Sequence, residues 1–160
     1  MHMIKKKHNG SSLIEVLITL IVMAVGLLGL ASMQMISIKN INNSQFRSLA
    51  TDYAYDMAER MRANSVGVAA GNYVAIDTNS ASSTTCSPCS SAQMARVDQF
   101  EWAQMMAQSI VSGGLPSGRG TVSGAVATGV YDINIQWDEQ GRNDTGGTVE
   151  TAQLILTIQL

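Results

Sequence analysis

At 160 residues, 46% of them apolar, and with a formal net charge of −2, the chain holds one domain's worth of material. Three of its 10 basic residues are Lys5, Lys6 and Lys7, whereas all 12 acidic residues follow them, so the body of the chain is acidic and offers no footprint for nucleic acid. Both histidines, His2 and His8, stand at the start, and no Gly-rich phosphate loop follows a strand; the chain is expected to have no catalytic, cofactor-binding or metal site.

Val16 to Ala31 carries no charge, and the apolar character reaches from Leu13 into Met33. That length approaches the roughly 20 residues that cross a bilayer as a helix. With Lys5-Lys6-Lys7 in front of it, the positive-inside tendency keeps the N-terminus cytoplasmic and exports the rest. A secretory signal would close its apolar stretch with a small-residue cleavage site; here the stretch passes into a polar helical pattern from Gln34 to Asn64. On hydropathy alone, a plain signal anchor holding a periplasmic protein of unknown activity satisfies all of this. Gly26 and Gly29 each weaken the helix by about 1 kcal/mol relative to Ala and let another helix come close. A packing site, a point of loosening and ordinary membrane-helix glycine are all open readings.

The entrance to the apolar run is Gly10-Ser11-Ser12-Leu13-Ile14-Glu15-Val16. It resembles the class III signal of type IV pilins and type II secretion pseudopilins: a basic leader ending in Gly, a new N-terminal residue, then a Ser/Thr-Leu-Ile-Glu run opening the helix. The resemblance implies that prepilin peptidase cuts between Gly10 and Ser11 and N-methylates Ser11, which stands where Phe is usual. Glu15 has a physical reason to seek a partner, because an acid at a helix centre in hydrocarbon costs about 2.5–3.5 kcal/mol, and less near the interface. Within the family that partner is the N-terminal amine of a neighbouring subunit, which exists only after cleavage. The alternative is that Glu15 lies at headgroup level and merely favours the helix N-terminus.

Past the membrane segment, Phe46, Leu49, Ala50, Tyr53, Ala54, Met57 and Met61 recur at helical spacing, and no proline interrupts Ser12 to Asn64. One helix over that span would be about 80 Å long at 1.5 Å per residue. Asp56 and Arg60 stand four apart, as an exposed ion pair would. Ser65 to Ser91 reads as a loop with a short strand near Tyr73–Ile76. Cys86 and Cys89 lie in it as Cys-Ser-Pro-Cys; with no second pair for zinc, no βαβ pattern and an oxidising compartment, a local disulfide is the preferred reading.

Ser90-Ser91-Ala92-Gln93 fits a capping box opening a second helix, with Met94, Val97, Trp102, Met105, Met106 and Ile110 as its apolar face and Gly113-Gly114 as its stop. Tyr131, Ile133, Ile135 and Trp137 alternate with polar residues, Leu154, Leu156, Ile158 and Leu160 repeat the pattern, and Thr121–Val126 is a weaker third strand. Gly141, Asn143, Asp144, Gly146 and Gly147 mark the turn between the last two. The expected fold is α+β and pilin-like: a long N-terminal helix packed on a three-stranded antiparallel sheet, with a second helix. Its expected division is a leader over 1–10, a membrane and assembly half of the helix over 11–33, and a periplasmic head over 34–160.

Gly26-Leu27-Leu28-Gly29-Leu30-Ala31, Cys89 to Ala95 followed by Asp98 and Trp102, then Leu115-Pro116-Ser117-Gly118 and a strand ending in Trp137, together resemble the PilV family of type IV pilus minor pilins. That resemblance implies a subunit that primes pilus assembly at or near the tip. Its implied partners are prepilin peptidase, the inner-membrane assembly machinery, other minor pilins and the major pilin through the N-terminal helix, and a tip adhesin. A minor pseudopilin of a type II secretion system shares the same processing and helix.

Overall fold

The computed structural model describes residues 13–140 and 149–160. The proline-free stretch forms one helix, α1, over Leu13–Ala63. The chain divides into two compact units, Met1–Ile41 and Asn42–Leu160. In the first, every residue from Leu13 to Ile38 is exposed, large aliphatic side chains included. A helix apolar all round is stable in such a state only in lipid or against other chains.

The second unit holds the whole core. The helical stripe buries Ala50, Ala54, Met57, Ala58 and Met61, with Phe46, Leu49 and Tyr53 half-buried at its margin. Asn64 then caps a short helix, α2 (Ser65–Ala69), its side chain accepting from the Gly67 N–H. The stretch from Ser65 to Ser91 is therefore more ordered than a loop: it carries α2, strand β1 (Ala75–Asp77) and a 3-10 turn over Thr78–Ser80. Helix α3 (Ser91–Ala107) opens on the expected capping box, in which the Ser90 and Gln93 side chains bond reciprocally to each other's backbone. It ends earlier than Gly113-Gly114, because the backbone leaves helical space at Gln108. Ile110 thus falls in a separate 3-10 turn and is exposed, and so is Met94; the buried face of α3 is Ala95, Asp98, Trp102 and Met106.

Strands β2 (Arg119–Ala125), β3 (Val130–Gln140) and β4 (Val149–Gln159) follow. The sheet has four strands rather than three, in the order β1-β2-β3-β4, each pair antiparallel. The extra strand is β1, whose Ile76 sits opposite Val122. The alternation in β3 holds: Tyr131, Ile133, Ile135 and Trp137 are all buried. Leu160 lies just past the end of β4, its N–H donating to the Gly129 carbonyl. The turn expected around Gly141–Gly147 lies outside the described residues.

Both helices cover the sheet. Arg47 of α1 grips Glu139 of β3 through two 3.0 Å bonds. α3 lies on β2, where a Cβ at Gly120 would overlap the Trp102 ring, so glycine is required for that approach. The Trp102 indole N–H completes the layer by donating to the Tyr53 carbonyl at 3.0 Å.

Candidate functional site

The expected cleavage and methylation positions, Gly10 and Ser11, lie outside the described residues. Glu15 is exposed in the first described turn of α1 and is the only charged residue between Leu13 and Ile38. Two polar side chains of this helix bond to its own backbone. The Thr19 hydroxyl donates to the Val16 carbonyl and the Ser32 hydroxyl to the Gly29 carbonyl, both at 2.8 Å, so neither polar group needs an outside partner. A Cβ at Gly26 or Gly29 would meet nothing within 4 Å, so neither glycine serves packing inside the subunit. This helix is long and apolar enough to cross a membrane.

The ionisable groups of the head bind one another. Arg60 donates to Asp56 at 2.8 Å, as its spacing suggests, but it also reaches inward to Asp98 at 3.3 Å and Glu101 at 2.6 Å. Asp98 is buried on α3 and accepts the Tyr73 hydroxyl as well. Tyr73 in turn accepts from Asn64, which also donates to the Ser91 carbonyl at 2.8 Å. One network therefore ties the end of α1 to α2, the approach to β1 and the start of α3. The buried ion pairs of Asp98, named in the sequence only as part of a resemblance, and of Glu139 are what sequence reasoning missed, and each had a signal. Asp98 stands inside the apolar stripe of α3, four before Trp102, and Glu139 continues the inward alternation of Tyr131 to Trp137. An acid in either place needs a cation, which Arg60 and Arg47 supply.

Burial, reinforced by the bond to Asp98, pushes the Tyr73 phenol well above its usual range. A phenol that holds its proton more tightly when folded stabilises the fold fully below the unfolded value of about 10, begins to lose that contribution above it, and loses it as pH rises through the higher folded value. Urea midpoints between pH 9 and 11 should fall for the native chain and fall less for Tyr73→Phe; equal slopes would remove Tyr73 from the network. Tyr53, raised mainly by burial, leaves a residual slope in the variant. At the sheet edge, Arg119 clasps Asp77 through bonds of 2.6 and 3.2 Å, which hold this carboxyl below its ordinary value.

Cys86 and Cys89 form a disulfide immediately before the α3 cap. Closing so small a ring constrains the unfolded chain by only about 2 kcal/mol, so the bond serves the loop more than the core. An apolar cavity of about 330 Å³ is bounded by Met61, Val68, Val126, Tyr131 and Leu160. Arg62, which also lines it, is paired with Glu59. Among the described residues no group of three or more His, Cys, Asp or Glu is placed to hold a metal ion.

An apolar helical stretch left uncovered by its own chain, with one carboxylate at its entrance and continuing into the core of an α+β head, has the pilin fold and the marks of the type IV pilin and pseudopilin class. Comparison with known families agrees. Residues 5–31 match the prokaryotic N-terminal methylation motif, and residues 32–100 match the Tt1218-like family, described as type IV pilin Tt1218. The two matches support a type IV pilin, and such a motif implies processing by prepilin peptidase and contacts with an assembling pilus. No curated protein and no solved structure matches the chain.

Proposed function

We propose that this chain is a minor pilin that helps prime type IV pilus assembly, at or near the pilus tip. Prepilin peptidase removes residues 1–10, cutting between Gly10 and Ser11, and Ser11 becomes the methylated N-terminus. Residues 11–33 first anchor the protein in the inner membrane, with the leader cytoplasmic and residues 34–160 periplasmic, and then pack into the assembly. There Glu15 meets the new amine of a neighbouring subunit. Cleavage creates the cation, so unprocessed chains lack the charge that Glu15 of the next subunit requires. Other minor pilins and the major pilin are the partners of this helix, and a structural rather than enzymatic role follows.

The observation that carries the proposal is the coincidence of the methylation-motif match over 5–31 with an exposed apolar stretch of α1, Leu13 to Ile38, whose one charge is Glu15. A minor rather than bulk role is supported by the resemblance to PilV and by the cysteines. Both precede α3 and bond to each other, leaving none to clasp the C-terminal strands. Deleting the gene in its host tests this: few or no surface pili with exoprotein secretion intact is the expected phenotype. Normal pili with lost secretion would reassign the chain to the pseudopilins, and no change in either would return it to a plain signal anchor.

A further inference from the structure

Antiparallel pairing gives every second residue of an edge strand a backbone N–H and C=O that point away from the sheet. Leu160 donates to Gly129, so Ile158, Leu156, Leu154 and Ala152 face β3 with their backbone groups. Those of Thr151, Gln153, Ile155 and Thr157 then point outward, and among the described residues no strand pairs with them. Exposed edges this long are ordinarily blunted with lysine, proline or a bulge. β4 is 11 residues long, pairs with β3 without a break in register, and has neither proline nor lysine; its one charge is Glu150. The other edge, β1, has three residues.

The side chains on the inner face are open at the same edge. Ile133 and Ile135 of β3 are fully buried, but their β4 neighbours Leu156 and Leu154 are only half-covered. One further strand would satisfy the outward backbone groups and close this apolar row together.

We propose that β4 is a docking edge for an antiparallel strand from a different pilin-class subunit, a strand alternating apolar and uncharged polar residues with a base set against Glu150. The identity of the partner rests on the pilin reading above. A second copy of this chain fits poorly. β4 begins beside Glu139, which Arg47 holds, so the chain enters the head near the start of β4. Two-fold pairing of β4 with itself would place the two entry points at opposite ends of the strand pair, about 35 Å apart at 3.3 Å per residue. Two subunits anchored in one membrane need them at the same end. Pairing β4 with the β1 edge of a second copy keeps them together but supplies three residues against 11.

The test is photo-crosslinking in the native host, from a reactive residue placed at Thr157 or, as control, at Ser123 on the same outer face but on β2. The expected result is an adduct from Thr157 alone, mapping to an extended segment of another protein with a prepilin leader. It should be lost with Ile155→Pro, which removes an outward N–H without breaking the β3 ladder, and with the paired charges Gln153→Lys and Thr157→Lys, read from a reactive residue at Thr151 should the proline impair folding. No adduct, an adduct to a second copy, or one that survives these substitutions overturns the proposal. Peptidase-dependent maturation is followed in the same cells: if it persists while the adduct fails, the edge is refuted and the pilin reading stands, and if it is absent the pilin reading itself has failed.

Discussion

Trp102→Ala should lower the unfolding free energy of the head by about 3–5 kcal/mol, the range for removing a buried tryptophan. Trp102 is fully buried between α1 and β2, its indole N–H donates to the Tyr53 carbonyl, and Gly120 has no side chain with which to fill the space. The loss therefore combines a cavity with one lost hydrogen bond, since the Tyr53 carbonyl keeps only its bond within α1. Trp137 remains in the variant and reports unfolding by fluorescence in a urea titration. A change under about 1 kcal/mol would mean that α3 does not seat on the sheet through this ring.

Glu15→Leu separates processing from assembly. The proposed cleavage point between Gly10 and Ser11 precedes the substitution and leucine suits the apolar run, so a mature, anchored protein should accumulate at normal levels. Its recruitment should nevertheless fall by on the order of tenfold, the effect of about 1.4 kcal/mol, because the amine that Glu15 is proposed to meet would have no counter-charge. Co-isolation of native and variant chains with partner pilins from solubilised membranes measures this. Undiminished recovery would assign Glu15 to the headgroup layer, with no role beyond the helix terminus.

What could be read from the residues follows the length of their patterns. Phe46 to Met61 spans more than four turns at one spacing, and Tyr131 to Trp137 alternates four times, so α1 and β3 were legible and their inward faces are those buried. β1 is three residues long and cannot display alternation; its membership of the sheet comes from the register with β2. α2, five residues long, is too short to repeat a helical period, and only the Asn64 cap marks it. The end of α3 was misjudged because Gly113-Gly114 is a plain stop signal, whereas the true end at Gln108 is set in three dimensions, where the Met106 carbonyl accepts the Leu115 N–H. Arg60 illustrates the limit of local spacing: its bond to Asp56 was visible four residues away, but those to Asp98 and Glu101 depend on how α3 packs. The candidate site was the reverse case. Lys5 to Glu15 falls within the stretch that matches the N-terminal methylation motif, a local pattern, so proposing Gly10, Ser11 and Glu15 required no knowledge of the fold.

The most direct measurement is the intact mass and N-terminal residue of the protein from its native host, with and without prepilin peptidase. A methylated Ser11 start that disappears with the peptidase is the predicted result. A Met1 start in both strains would contradict it, because the amine that Glu15 is proposed to meet would never have been made.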